Sequence, residues 1–309
     1  MSNLPVPETT TAPVAVGSGD DSPGESLWRG AFKRLQRSPM AIVGAVIVAL
    51  FILVAIFAPF LAPYEPESRE WTSLSTNIYV QGSSAEHPLG IDAYGSDMLT
   101  QLIYGARQSM IIGVVSTGIG LSIGAFLGLL AGGLGGWFDT IIMRFVDVLL
   151  SIPSLLLAVS VAALIAESQF GLMLAIGLAQ VPIFARLLRG SMIAQSNSDY
   201  VLAGRALGLK RRTLVLNHML PNSLGPTIVQ ATLNLATATI EVAALSFLGL
   251  GGDNPYVAEW GRMVVEGEGK ITLAPWLPFY PGLCIAITAL GFTLLGESMR
   301  TALDPKQRR

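Results

Sequence analysis

Residues 200–222 read YVLAGRALGLKRRTLVLNHMLPN and form the most basic internal segment of a chain that is otherwise mostly apolar. Residues 200–207 have helical composition, Gly208 is suited to ending that helix, and residues 210–218 can form a second one before Pro221 closes the segment. Two short helices that meet at a glycine predict a compact knob on a membrane surface, suited to docking a soluble partner. Composition alone equally allows an ordinary loop whose positive charge only fixes membrane topology.

The composition of the whole chain is that of an integral membrane protein. Its 309 residues are 51% hydrophobic and 13% charged, whereas soluble domains carry roughly 25% charged residues. The single cysteine, Cys284, excludes an internal disulfide. The two histidines, His87 and His218, are far apart in the sequence, so we predict no zinc site.

Hydrophobic segments of about 20 residues, the length that crosses a bilayer, divide the chain. Residues 1–26 are rich in Pro, Thr, Ser and Gly and predict a disordered cytoplasmic tail. An amphipathic helix on the inner leaflet is predicted over residues 27–37, with Pro39 ending it. Six spans are expected at residues 41–61, 109–131, 141–165, 172–188, 224–248 and 276–296. The chain is therefore predicted to divide into five units. These are a cytoplasmic tail (1–26), the amphipathic helix with the first span (27–63), an external loop (64–108), a core (109–297) and a cytoplasmic tail (298–309). Within the core, residues 195–222 are predicted to form a loop.

Positive charge orients these spans. With the N-terminus in the cytoplasm, only four basic residues fall on the outer side, namely Arg69, Arg107, Arg262 and Lys270. We therefore predict an all-α membrane fold with both termini in the cytoplasm. The loops on the outer side are acidic. This acidity is either the counterpart of the positive charge on the cytoplasmic side or a means of attracting cationic substrates. Residues 98–106 predict a separate interfacial helix ahead of the second span.

Glycines and prolines inside the spans predict where helices pack closely and where they bend. The glycines at Gly120, Gly124, Gly128, Gly132 and Gly136 align on one helix face and predict close packing of another helix. Such a face also suits a helix that slides during gating. Pro153 and Pro182 are positions where the helices can bend.

Ionisable residues are costly in hydrocarbon, so they are functional candidates by default. We expect Arg144 and Asp147 to pair, because they are three residues apart. Glu241 lies mid-span and is either a structural contact or a residue of a translocation path, and Ser246 is a second path candidate.

No catalytic constellation is apparent in the sequence. The string from Gly267 to Lys270 resembles a phosphate-binding loop, but Ile271 stands where Ser or Thr is required and Val264 where the first glycine is required. Nucleophile-elbow, zinc-protease and cysteine-cluster motifs are also missing from the sequence. We therefore predict a protein without a catalytic site and without a cofactor of its own.

Several stretches together resemble the permease subunits of dipeptide, oligopeptide and nickel ABC importers. The resemblance runs from about residue 34 to residue 309. Residues 200–222 are similar to that family's coupling loop, although Leu202-Ala203-Gly204 stands where the family has Glu-Ala-Ala. The other matching stretches are HPLGID from His87, LIYGAR from Leu102, GGWFD from Gly135 with SIP from Ser151, LSFLGLG from Leu245 with Trp260-Gly261, and LDP from Leu303. Glu297-Ser298 departs from the Gly-Asp that is more usual there.

This resemblance implies a type I ABC importer permease in the inner membrane of a bacterium. It implies a second, related permease subunit, two ATPase subunits that bind ATP and Mg²⁺, and an external solute-binding protein that delivers a di- or oligopeptide. No nucleic acid is expected as a partner. The residues that the resemblance assigns to ATPase coupling are Tyr200, Ala203, Gly204, Arg205, Ala206, Gly208, Lys210, His218, Leu220 and Pro221.

The alternative function is a secondary transporter driven by an ion gradient. That class typically shows inverted repeats and several buried charges at the midplane, and the sequence shows no clear repeat and few such charges. A membrane-embedded enzyme is disfavoured because no catalytic constellation is present.

Overall fold

The computed structural model describes residues 27–165, 168–251 and 257–303. Regular structure in these ranges is helical, apart from two isolated β-bridges. The predicted tail 1–26 and residues 304–309 lie outside the described residues. The helices are α1 (Leu27–Leu35), α2 (Pro39–Leu61), α3 (Met98–Leu134), α4 (Gly136–Leu150), α5 (Ser154–Leu164), α6 (Gln169–Ser196), α7 (Asp199–Ala206), α8 (Arg211–Thr213), α9 (Leu220–Phe247), α10 (Trp260–Glu268) and α11 (Trp276–Leu303), with a 3₁₀ turn at Thr72–Leu74 and a π-helical turn at Leu214–Met219.

The prediction of an all-α membrane fold is confirmed. Within the described residues, five helical segments are long and apolar enough to cross a membrane, and the bent pair of α4 and α5 brings the number to the predicted six where it counts as one span. The break is sharp, because α4 and α5 are bent by 93°. It lies at residues 151–153, where Pro153 is the N-cap residue of α5, so the bend predicted at this proline is confirmed.

The second span differs from its prediction. Residues 98–106 do not form a separate interfacial helix, because α3 runs without interruption from Met98 to Leu134. Asp97 is the N-cap of this helix and accepts a hydrogen bond from the backbone N–H of Thr100 at 2.8 Å. The helix continues through residues 106–109 because the sequence there contains neither proline nor glycine to interrupt it.

The glycine face of α3 packs directly against α6. A Cβ added at Gly124 would lie 2.6 Å from the carbonyl oxygen of Val181, and one at Gly128 would lie 2.7 Å from that of Ala185. These glycines therefore allow the two backbones to touch, as predicted. Gly136 does not belong to this face, because α3 ends at Leu134 and Gly136 begins α4 with a φ of +60°.

Two ion pairs join α4 to α6. Arg189 contacts both carboxylate oxygens of Asp139, at 2.5 and 2.7 Å. Asp147 pairs with Arg186, so the predicted pair of Arg144 and Asp147 is wrong. The reason is that α6 brings a guanidinium group to Asp147 from another helix, a contact that the spacing within α4 does not reveal.

The non-helical residues 64–97 and helix α10 form a compact region at the end of the bundle where α3 begins; we call it the cap. His87 is 1% exposed, and its Nδ1 lies 2.9 Å from Oδ1 of Asp97. Tyr64 and Trp71 pack around the imidazole ring. The indole N–H of Trp260 donates to the carbonyl oxygen of Leu102 at 2.9 Å, which fixes α10 against α3.

Candidate coupling and translocation sites

Residues 195–222 lie at the end of the bundle opposite the cap; we call them the coupling segment. Helix α7 is anchored through Val201, which is fully buried in a cluster with Leu188, Met192 and Met219. Gly204 is the second buried position of α7, and a Cβ there would lie 2.7 Å from Cδ2 of Leu214. Glycine in place of the family's alanine therefore makes room for the Leu214 side chain.

Gly208 ends α7 in the way that the sequence predicted. Its φ is +77°, a left-handed conformation that only glycine adopts at little cost. The backbone N–H of Leu209 donates to the carbonyl oxygen of Gly204 at 3.0 Å, and that of Gly208 donates to Arg205. These bonds close a Schellman-type turn that fixes the direction of the chain as it leaves α7.

The second half of the coupling segment differs from its prediction. Residues 211–247 form one continuous helical segment, so Pro221 does not close a short helix but lies within the first turn of α9. A π-helical turn at Leu214–Met219 comes directly before this proline. The wider turn accommodates a residue that has no N–H, and the helix runs on. The coupling segment is thus joined rigidly to the fifth span.

Arg211 attaches the coupling segment to the end of α3. Its Nε donates to the carbonyl oxygen of Gly133 at 3.0 Å, and its Nη2 donates to that of Leu134. Both carbonyls belong to the last turn of α3, where no intrahelical donor remains. Sequence reasoning placed Arg211 among the basic residues of the loop but did not reveal this bond, because α3 is more than 70 residues away in the sequence.

The surface of the coupling segment that faces away from the bundle is both apolar and basic. Leu202 is 48% exposed, Leu207 is 82% exposed and Leu209 is 42% exposed. These three leucines were not among the predicted coupling residues. Of the predicted ones, Gly204 is buried, Leu220 is half-buried and the exposed ones are Tyr200, Ala203, Arg205, Ala206, Gly208, Lys210, His218 and Pro221. The Tyr200 hydroxyl donates to Oε1 of Gln195 at 2.7 Å, so this ring is held in place.

A cleft of about 460 Å³ separates the coupling segment from the end of α3. Gly132 and Gly133 line one wall, and Arg205, Leu209 and Leu214 line the other. Leu209 belongs both to this cleft and to the exposed apolar surface, so the cleft borders the surface that is available to a partner.

The two candidate path residues lie in different surroundings. Glu241 is 7% exposed within α9, its Oε2 has no hydrogen-bond partner, and the side chain of Ser154 contacts its carboxyl group. Ser246 is also buried, and its hydroxyl donates to Oε2 of Glu259 at 2.8 Å. Glu259 caps α10 through the backbone N–H groups of Gly261 and Arg262. Ser246 thus connects α9 to the cap.

Two half-buried carboxyl groups of the cap, outside the spans, have raised pKa values. Burial raises the pKa of Glu266 to about 8; Asp92 adds to the rise, and Arg262 and Arg69 oppose it. Burial also raises the pKa of Asp92, against backbone hydrogen bonds from Ser96 and Tyr94. Within the described ranges, no group of three or more His, Cys, Asp or Glu side chains is arranged to hold a metal ion.

Comparison with known proteins identifies the family. Residues 124–309 match the family described as the binding-protein-dependent transport system inner membrane component, and residues 26–79 match the N-terminal transmembrane domain of oligopeptide transport permease C. The chain is 41% identical over 302 residues to the dipeptide transport system permease protein DppC of Alkalihalophilus pseudofirmus, covering 98% of this chain and 97% of that protein.

Two further relatives are also permease proteins of peptide transport systems, and one solved structure shares the fold. The chain is 40% identical to the probable D,D-dipeptide transport system permease protein DdpC of Escherichia coli, over 88% of this chain and 89% of that protein. It is 36% identical to the glutathione transport system permease protein GsiD of Pectobacterium atrosepticum, over 90% of this chain and 91% of that one. A chain of the inward-facing MetNI methionine ABC transporter shares the fold, with a TM-score of 0.54 and 20% identity over 67% of this chain and 98% of its own length.

The six spans follow the type I ABC importer permease fold, and the matched families cover most of the chain. The chain therefore belongs to the binding-protein-dependent transport system inner membrane components, which are multi-pass permease subunits of the bacterial inner membrane.

Proposed function

We propose that this chain forms half of the translocation path of an ATP-driven peptide importer. A related permease subunit supplies the other half, two ATPase subunits hydrolyse ATP, and a solute-binding protein delivers the peptide on the cap side. Support for peptide cargo comes from the relatives, whose names refer to dipeptides, D,D-dipeptides and glutathione. In this arrangement the chain itself binds neither ATP nor Mg²⁺.

The observation that carries the coupling role is the exposed apolar surface of the coupling segment. Leucines that are 42–82% exposed at the tip and around α7 are unfavourable beside water, and a protein partner that covers them removes apolar area from water. The basic residues beside them, Lys210 and Arg212, are exposed and add long-range attraction to an acidic partner surface. In our proposal the covering partner is an ATPase subunit in the cytoplasm.

The connection of this surface to the spans explains how movement would be transmitted. Helix α7 is anchored on α6 and α9 through Val201, α8 continues into α9, and Arg211 holds the end of α3. A displacement of α7 by the ATPases would therefore tilt three spans together. Rigid-body movement of this kind can alternate the access of a path between two sides of a membrane.

The test is affinity purification of the tagged chain from its native membrane, followed by identification of bound proteins and by peptide uptake in reconstituted vesicles. We expect recovery of a second six-span permease and ATPase subunits, with uptake that requires ATP. Recovery of the chain alone, with uptake that follows an ion gradient and ignores ATP, would replace this proposal with a secondary transporter.

Two variants test the coupling segment itself. Gly208→Pro disrupts the left-handed turn, and the double change Lys210→Glu with Arg212→Glu reverses the exposed charge while Arg211 keeps its contacts with α3. Both should weaken retention of the ATPase while the chain still inserts into the membrane. Retention at the wild-type level in both variants would refute the coupling role.

A further inference from the structure

The break between α4 and α5 interrupts an apolar segment, because the two helices together are long and apolar enough to form one span. On its α4 side, Asp147 pairs with Arg186 of α6. On its α5 side, Ser154 contacts Glu241, which lies within α9. From the apolar composition of both halves we infer that the break lies at membrane depth.

The break is also exposed on the surface of this chain. Ser151, Ile152, Pro153 and Ser154 are all exposed. Backbone outside a helix is tolerated at membrane depth only where it is covered by protein or lines a water-filled cavity, because its polar groups need partners. Broken helices of this kind occur at binding sites in transporters, where a half-helix end faces the substrate. The break therefore faces the path or the second permease and does not face lipid.

Glu241 of α9 lies beside the first residue of α5, and one of its carboxylate oxygens has no hydrogen-bond donor. Its side chain contacts Ser154, the first residue of α5, whose N-cap residue Pro153 provides no side-chain cap. The positive end of the helix dipole favours a negative charge at this position. Oε2 of Glu241 nevertheless has no hydrogen-bond partner. Asp147, the acid on α4 nearest the break, is already paired with Arg186.

We propose that Glu241, positioned by Ser154 and the N-terminus of α5, binds the primary ammonium group of the peptide during its passage. This rests on the proposed peptide-import function and deepens it by naming the part of the substrate that is recognised. A carboxylate with one oxygen lacking a donor matches an ammonium group, which has three donors and no acceptor. The oxygen is covered in this conformation, so access of the ammonium group requires the side chains packed around Glu241 to move apart.

The test measures binding of two probes to the intact complex of both permeases and the ATPases in lipid nanodiscs, without the solute-binding protein. The probes are dialanine and N-acetyl-dialanine, which differ in the presence of the ammonium group. We expect wild-type complex to prefer dialanine by about tenfold. Glu241→Gln should remove this preference, Glu241→Asp should retain part of it, and the matched control Glu268→Gln, at an exposed position in the cap, should leave it unchanged.

Equal binding of both probes by the wild-type complex, or an unchanged preference in Glu241→Gln, would overturn the subsite. Ser154→Ala is the second variant, in case the first assembles poorly, and it should reduce the preference without abolishing dialanine binding; an unchanged preference there would also count against the proposal. ATP-dependent dialanine uptake by the wild-type complex tests the import function separately, so failure of the subsite and failure of the function are distinguishable.

Discussion

The cap and the coupling segment are the two regions outside the membrane-spanning helices that the structure describes in most detail, and they are stabilised differently. The cap is held by two buried polar contacts, His87 with Asp97 and Trp260 with Leu102, and by a half-buried hydrogen bond from Lys270, just after α10, to Ser75. The coupling segment rests on a small apolar cluster around Val201 and on the bonds of Arg211, and it exposes leucines. The cap exposes apolar side chains as well, with Ile78 86% and Tyr79 54% exposed. The two regions therefore differ in what holds them in place, polar contacts in the cap and an apolar cluster in the coupling segment, and both present apolar surface that a partner can cover.

The largest expected effect on stability comes from the polar centre of the cap. Asp97→Ala removes the partner of buried His87 and the N-cap of α3 together. We expect the free energy of unfolding to fall by about 3–5 kcal/mol, because a buried polar pair that loses one member leaves the other without compensation. Thermal unfolding in nanodiscs measures this change.

The control for this variant is Glu86→Ala, an exposed neighbour whose backbone carbonyl, not its side chain, accepts the hydrogen bond of Tyr64. We expect less than about 0.5 kcal/mol from it. Similar losses in the two variants would mean that the His87–Asp97 contact does not dominate the stability of the cap.

The next effect concerns the polar attachment of the coupling segment. Arg211→Ala removes two hydrogen bonds to the last carbonyls of α3. We expect a loss of about 2 kcal/mol, since bonds from a charged donor contribute more than neutral ones. Arg212→Ala is the control, because Arg212 is the exposed neighbour of the same type. Hydrogen exchange of residues 199–213 should increase in the first variant and not in the second; equal exchange would show that Arg211 does not anchor the segment.

A substitution at Glu266 is expected to raise the free energy of unfolding at high pH, by less than the previous variants lower it. Its pKa is near 8 in the folded protein, against 4.5 for the group in its ordinary state, so the folded chain binds the proton more tightly. This contribution to stability is complete below pH 4.5 and is lost as the pH rises to 8. Glu266→Gln should therefore raise stability at pH 8 by at least about 1 kcal/mol and leave it nearly unchanged at pH 4.

Unfolding of this variant at a series of pH values provides the measurement, with Glu268→Gln as the exposed control. If Glu266→Gln and the wild type had parallel pH profiles between pH 4.5 and 8, the carboxyl group would not be protonated in the folded cap.

Local features of the coupling segment and the spans could be predicted from the sequence, and contacts between distant helices could not. Gly208 was predicted to end α7 because a left-handed turn there requires glycine, and the φ of +77° confirms it. The glycine spacing predicted a smooth face on α3, but it carried no information that α6 is the helix packed there. The error at Asp147 has the same origin, because the sequence within α4 offers Arg144, whereas the fold supplies Arg186.

Proline was the least reliable local signal. Pro153 does mark a break, while Pro182 and Pro221 lie within continuous helices. A proline removes one backbone N–H, and the outcome depends on whether neighbouring turns and packed helices compensate for it. At Pro221 the π-helical turn compensates. At Pro153 the exposed residues 151–154 leave the chain free to turn, so the same residue type has opposite consequences.

The smallest effect on stability is expected where the coupling segment departs from its family. Leu202 is 48% exposed at the position where the family carries Glu, so Leu202→Glu should change the free energy of unfolding by less than about 0.5 kcal/mol. Binding of the ATPase should nevertheless weaken, by about tenfold, because a charge would enter an apolar contact. The control Ala85→Glu adds the same charge to an exposed position of the cap and should leave ATPase binding unchanged. If Leu202→Glu bound the ATPase as well as the wild type, the exposed leucines would not be the docking surface, and the apolar surface of the coupling segment would indicate a partner no more strongly than that of the cap.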